Sequence, residues 1–231
     1  MKPIVIVVAT RKNAHDFWTQ TATGQSLAYY RYPFVQVELC AENTLGLPQV
    51  YNHVIDKYLA QDVALVFVHD DVWITDLYWT RTLWAGLANY DVVGLVGNTH
   101  MTPTQPSWGF LDTQGTWDVV EHLSGVIAHG PQFPPESLGV FGPVGPVKLL
   151  DGVLLATTSQ VLHNTGLRFD TRFAFHFYDV DWCRAANTLG LRLGTIALSV
   201  VHQSGGNFSS SAWRDAYQVY LDKWNPPAIT A

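Results

Sequence analysis

An α/β fold, with a mixed but mostly parallel sheet flanked by helices, is what this sequence predicts, and three observations carry it. Short apolar runs rich in β-branched residues recur at 3–8, 34–39, 63–68 and 92–96. Between the second and third lies LPQVYNHVIDKYLAQ (47–61), where Val50, Val54 and Tyr58, with Tyr51, Ile55 and Leu59, form two adjoining helical stripes. Strand and helix patterns then alternate, as a sheet with crossover helices requires.

The runs at 3–8 and 63–68 are apolar without interruption, the pattern of central strands buried on both faces. Asp76 is placed to cap a helix through Leu77, Trp84 and Leu87. The segment 98–148 is rich in proline and glycine and shows no clear period, apart from a short strand near 119–120 or 126–128. Its aromatic content (Trp108, Phe110, Trp117, Phe133, Phe141) predicts an ordered excursion facing a ligand. Order resumes at 147–162, a strand running into a helix that Gly166 ends. Asp179 is expected to open a helix through Trp182, Ala185, Ala186 and Leu189, closed by Gly190. A strand at 193–201 then runs to His202, and 209–224 reads as a last helix with Ser209, Ser210 and Ser211 near its cap. No repeat or low-complexity tract divides the chain, so one domain over 1–231 is expected.

Composition excludes several classes. Charged residues make up 14% of the 231 and hydrophobic ones 48%, which argues against disorder. A net charge of −6 without any Lys/Arg cluster argues against a nucleic-acid partner. Cys40 and Cys183 are far apart and in no CxxC spacing, so reduced thiols are expected. The apolar run at the N-terminus is too short for a signal peptide, and no window is long enough for a transmembrane segment. A cytoplasmic protein is expected, with contact at a membrane surface left open.

Three places carry candidate chemistry. The run 63–68 stops abruptly at His69, Asp70 and Asp71, where two carboxylates beside an imidazole at a core's rim call for a cation or hydrogen bonds. Strand ends of this kind are where open α/β sheets bind ligands. In FHFYDVDWC, Asp179 and Asp181 would lie about 200° apart on a helix, so only one faces a given cleft. Asp181 suits a first-turn acid that complements the helix dipole. Asp179, behind the aromatic stretch FAFHFY, is expected to have raised proton affinity suited to a base. His202 ends a strand as Asp71 does, so the two could share a metal ion. Trp73, Trp108 and Trp117 are candidate platforms for stacking a sugar.

Taken in order, VHDDV, DGVLL, FDTRFAFHFYDVDWC, Gly190 and VVHQSGG resemble the GT-A fold glycosyltransferases of the family 2 type, in particular the compact bacterial glycosyltransferase-like group, over residues 3–206. The resemblance implies a divalent cation, Mn²⁺ or Mg²⁺, held by Asp71 and His202 and shared with the diphosphate of a nucleotide-diphospho-sugar donor. Asp71 matches the end of the family's strand-end Asp-x-Asp motif, with Asp70 inside it and His69 replacing its first aspartate. Asp179 takes the position of the catalytic base, without the glutamate that usually precedes it. Asp151 and Gly152 match the donor-sugar pocket, Asn52 a helix asparagine before the metal motif, and Thr10 the strand end that holds the nucleotide base. The implied reaction is inverting transfer of the sugar to a glycan or other hydroxyl acceptor. Two alternatives stand beside it. One is a non-catalytic glycan- or nucleotide-binding module of the same fold. The other is a non-haem Fe(II) oxygenase using His69, Asp71 and His202, with Arg214 holding a 2-oxoacid, which calls for an all-β jelly roll.

Overall fold

The computed structural model describes residues 2–205, 208 and 210–225. From Ile4–Ala9 (β1) the chain passes through two short helices, Ala14–Gln20 (α1) and Ala22–Tyr29 (α2), to Val35–Cys40 (β2). Leu47–Tyr58 (α3) leads to Ala64–Val68 (β3), and Val72–Ile74 (β4) leads to Trp79–Asn89 (α4). Val92–Gly94 (β5) and Val96–Asn98 (β6) precede Leu123–His129 (β7) and Ser137–Gly142 (β8). Pro146–Val147 (β9), Leu149–Leu150 (β10) and Leu154–Thr158 (β11) follow, then Ser159–Thr165 (α5) and Tyr178–Thr188 (α6). Leu193–Thr195 (β12), Val200–His202 (β13) and Ser211–Trp224 (α7) close the described chain.

The uninterrupted apolar runs form the middle of a seven-stranded sheet ordered β2-β1-β3-β11-β5-β12-β9. β1 and β3 are buried along nearly their whole length, which is the cause of their unbroken hydrophobicity. β2, β1, β3, β5 and β12 run one way; β11 and β9 run against them. The sheet is therefore mixed, with its parallel strands in the majority. The helical stripe of α3 buries Val50, Tyr51, Val54, Ile55 and Tyr58. Tyr51 meets Phe67 of β3 and Phe169 at ring-centroid distances of 4.8 and 5.2 Å, and Phe169 stacks on Trp182 of α6 at 4.6 Å. Those rings join helix, sheet and the approach to α6 into one core.

A second sheet, ordered β10-β6-β7-β13-β4 with β8 on β7, corrects the irregular reading of 98–148. β7 and β8 form an antiparallel pair inside that segment, with a register shift at Gly125 and Val126. The strand expected at 126–128 belongs to β7, whereas 119–120 lies outside any strand and Val120 opens a 3₁₀ turn. β8 is partly exposed along its length, so burial imposes no clean alternation on its sequence.

Four helix starts also differ from expectation. Asn13 caps α1 by accepting the Asp16 N–H at 2.9 Å, and Thr21 caps α2 by accepting the Gly24 N–H at 3.0 Å, a helix pair the hydrophobic pattern did not reveal. Asp76 acts from two residues before the cap of α4, accepting the Tyr78 N–H at 2.7 Å and the Thr82 hydroxyl at 2.8 Å. Phe177, in the left-handed conformation (φ 65°), precedes α6, and Asp179 sits inside its first turn. Asp181 lies in the first turn of α6, as expected of an acid that complements the helix dipole, but it is buried: it is 1% exposed, 2.6 Å from Lys223 Nζ, and accepts from Trp224 Nε1 at 2.8 Å. It docks α7 onto α6. Ser210 caps α7, while Ser209 lies outside the described residues. Both cysteines are free thiols. Among the described residues, no helix is long and apolar enough to cross a membrane. The parallel strands and flanking helices remove the jelly-roll scaffold on which the iron-oxygenase reading depended.

Candidate active site and metal centre

β3 ends at Val68, and the chain turns through His69, Asp70 and Asp71 into β4. Thr23 of α2, fully buried, holds this turn. Its hydroxyl donates to the His69 carbonyl at 2.6 Å, and its N–H donates to the Asp70 carbonyl at 3.2 Å. The Thr10 hydroxyl donates to Asp70 Oδ2 at 2.5 Å, and the His69 N–H to the Val153 carbonyl at 3.2 Å. β13 then pairs antiparallel with β4, setting His202 opposite Val72, while the Gln203 N–H donates to the Asp71 carbonyl at 3.0 Å. A strand ladder thus brings His202 beside Asp71 across a long separation in sequence.

His202 Nε2 lies 3.3 Å from Asp71 Oδ1, and one ligand atom from each of His69, Asp71 and His202 falls within 4.8 Å of the other two. Asp71 Oδ1 is buried and meets no donor in hydrogen-bond geometry. A buried carboxylate oxygen without a donor is costly unless a cation compensates it, so these side chains fit a divalent metal ion. Burial alone would raise the Asp71 carboxyl, but His202, His69 and Ser204 outweigh it and hold its pKa at about 2. His69 is pushed below the usual imidazole range by burial, with His202 adding to that and the nearby aspartates opposing it. Its Nε2 lies 2.9 Å from the Tyr178 hydroxyl, which donates to the Gly152 carbonyl at 2.8 Å. Tyr178 therefore accepts from Nε2–H, and the neutral ring keeps its lone pair on Nδ1. Burial lowers His202 as well, but Asp71 outweighs that and raises it overall.

Asp179 stands at the start of α6 beside the turn at Asp151 and Gly152. Its Oδ2 accepts the Gly152 N–H and its Oδ1 its neighbour Val180 N–H, both at 2.9 Å. Burial pushes its pKa up, the charge of Asp151 adds to this, and the two N–H donors pull it back, leaving it at about 7. A carboxylate poised there can take a proton near neutral pH. Gly152 has no room for a side chain: a Cβ would lie 2.3 Å from the Tyr178 hydroxyl and 3.0 Å from the Asp179 Cβ. Gly152→Ala should displace Tyr178, loosen the His69 tie and destabilise the fold by about 1–3 kcal/mol. Urea denaturation checks this, and an unchanged midpoint would show that the contact yields freely.

These groups line a cavity of about 570 Å³. Every residue that the resemblance assigned to the site borders it except Thr10 and Asn52. Thr10 stands behind Asp70. Asn52 uses both ends of its amide on Phe169, donating to its carbonyl at 2.8 Å and accepting its N–H at 3.0 Å, which fastens the approach to α6 onto α3. Trp73 lies away from the cavity, whereas Trp108 and Trp117 form part of an aromatic wall with Phe110 and Phe141. Tyr178, Thr23 and Ser204 were missed. Tyr178 reads as one more core aromatic, and only the Gly152 neighbour that it touches hinted otherwise.

The mixed sheet flanked by helices has the GT-A fold, as its likeness to a solved GT-A structure shows. No protein-family model matches the chain, and no curated protein matches it by sequence. Among solved structures it is similar to GalNAc-T7, a GT-A glycosyltransferase crystallised with UDP, GalNAc and Mn²⁺, at 12% identity and a TM-score of 0.58. The match covers 96% of this chain and 48% of that one, so this chain spans about half the neighbour's length. At that identity the likeness establishes the fold alone. A197 from STIV aligns over 90% of this chain and 99% of its own at 10% identity, with a TM-score of 0.44.

Proposed function

We propose that this chain is a metal-dependent inverting glycosyltransferase that moves a sugar from a nucleotide-diphospho-sugar to an acceptor hydroxyl. The observation that carries the reading is the convergence of Asp71, with its donorless buried oxygen, on His69 and His202 in the same cavity as Asp179. Asp71 and His202 would hold Mn²⁺ or Mg²⁺, with His69 beside them. A divalent cation there supplies Lewis-acid compensation for the charge of the departing nucleoside diphosphate.

The chain's own groups do the rest. Asp179 removes the proton of the acceptor hydroxyl as that oxygen attacks the anomeric carbon, and the N–H groups of Gly152 and Val180 fix the direction of its carboxylate. Asp151 keeps that carboxylate basic through like-charge repulsion. Tyr178 fixes the tautomer and orientation of His69. Thr10 orients Asp70 on the donor side. Trp108, Phe110 and Trp117 offer ring faces to an acceptor and exclude water from that side.

The test is a panel of nucleoside diphosphate sugars incubated with the full chain and Mn²⁺, reading released nucleoside diphosphate. Metal-dependent release, quickened by a hydroxyl acceptor, is expected. Tight nucleotide binding without release from any donor would favour the non-catalytic binding module. The pH profile is a second check. A base acts when deprotonated, so turnover should rise with pH through about 7. Asp151→Asn removes the like charge and should move this acid limb to lower pH. A limb that stays in place would dissociate it from Asp179.

A further inference from the structure

Asp118 lies at the far end of the 99–118 loop, packed against the second sheet, with a side chain only 3% exposed. Both of its oxygens are engaged. Oδ2 accepts from His100 Nδ1 at 3.1 Å and Asn98 Nδ2 at 3.0 Å; Oδ1 accepts from His122 Nδ1 at 2.9 Å and the Val119 N–H at 2.8 Å. The two imidazole rings are 4.8 Å apart, and their side chains are 45% and 40% exposed, so the group is open to solvent. One ligand atom from each of the three residues falls within 4.8 Å of the other two. None of the three borders the cavity described above.

We propose that His100, Asp118 and His122 form a second metal site, separate from the candidate active site, that takes a borderline transition-metal ion of the Zn²⁺ class. Two imidazoles and one carboxylate make a nitrogen-rich set that suits Zn²⁺, Co²⁺ or Ni²⁺, while Mg²⁺ and Ca²⁺ prefer an all-oxygen shell. The set leaves room for water to complete a tetrahedron. Each imidazole nitrogen already sits at hydrogen-bond spacing from an Asp118 oxygen, and one ligand atom from each residue lies within 4.8 Å of the others, so small side-chain shifts would bring them to metal–ligand bonds of about 2.0–2.2 Å.

The hydrogen positions can be followed. An ionised carboxylate only accepts, so each Nδ1 carries hydrogen in the metal-free protein. On binding, each ring must present its Nδ1 lone pair, so the Nδ1 hydrogen moves to Nε2 by exchange with water or leaves to water as a proton. Asn98 and the Val119 N–H keep Asp118 in place throughout, as supporting groups do around metal ligands.

The location gives the site a consequence. Asn98 ends β6, His122 immediately precedes β7, and Asp118 follows Trp117 of the aromatic wall. A bound ion ties together the two ends of the loop that carries Trp108 and Phe110. Occupancy should therefore order the acceptor-facing wall, and the metal site itself stands whether or not the transferase reading holds.

The test starts from the full chain carrying Asp71→Asn and His202→Gln, freed of metal by chelation and titrated with Co²⁺. One equivalent should bind, with visible absorption of a low-symmetry nitrogen–oxygen site, and Zn²⁺ should displace it. Adding His100→Gln and His122→Gln should weaken binding by at least 10-fold. Absence of uptake in the first background, or uptake unchanged by the second pair, overturns the proposal. If those variants fail to fold, carbethoxylation of the wild-type chain decides. Protection of His100 and His122 by Zn²⁺ supports the site, and equal labelling with and without Zn²⁺ refutes it.

Discussion

Asp179→Asn should lower turnover by about 10²–10⁴-fold, the usual contribution of a positioned base, while donor binding changes little. The substitution keeps the size of the side chain and an oxygen that can accept one of the two N–H groups, from Gly152 or Val180. It removes only the capacity to take a proton. The split between the two effects matters more than the size of either. Loss of turnover with donor affinity intact places Asp179 at the acceptor, whereas a parallel loss of both would give it a role in building the pocket. Steady-state rates with a confirmed acceptor, set beside nucleotide affinity from calorimetry, make the comparison. Near-normal turnover would end the base assignment.

The second large effect is expected at the metal centre. Asp71→Ala removes the buried carboxylate whose Oδ1 makes no hydrogen bond of good geometry and lies 3.3 Å from His202 Nε2. Loss of groups that merely support metal ligands typically costs 10–100-fold, so loss of a direct ligand should reach the upper end or beyond. Metal-dependent nucleotide affinity should fall on the order of 100-fold, about 2.8 kcal/mol. Any nucleotide binding that needs no metal should survive. His202→Ala should follow the same pattern, because β13 holds His202 against β4 through its backbone and not through the side chain. A variant whose metal-dependent affinity stays unchanged would remove Asp71 from the centre.

What could be read in advance follows from how local the cause is. β1 and β3 announce themselves because burial on both faces demands continuous apolar residues. The abrupt stop at His69 marks the strand end, and with it the mouth of the cavity. The meeting of Asp71 with His202 depends on two three-residue strands, Val72–Ile74 and Val200–His202, too short to show a period of their own. Only the matching strand-end positions of Asp71 and His202, and the family resemblance, suggested that they meet. The pair α1 and α2 had readable caps in Asn13 and Thr21, but its few buried apolar residues hid it from a search for stripes. That omission concealed Thr23, which holds the turn carrying His69 and Asp70. Asn52 is singled out by the resemblance alone; its amide joins α3 to the backbone of Phe169, one bond donated and one accepted, and it does not border the cavity. The group His100, Asp118 and His122 was invisible because its members are joined by a loop fold without any regular spacing.

The most direct measurement is thermal denaturation of the full chain with nucleoside diphosphates, each with and without Mn²⁺. A ligand that favours the native form raises the melting temperature by mass action. The predicted result is a rise with at least one nucleoside diphosphate that requires Mn²⁺ and disappears in Asp71→Ala. A melting temperature indifferent to Mn²⁺ with every nucleotide, or a rise that persists in Asp71→Ala, would contradict a metal-held donor site at the end of β3.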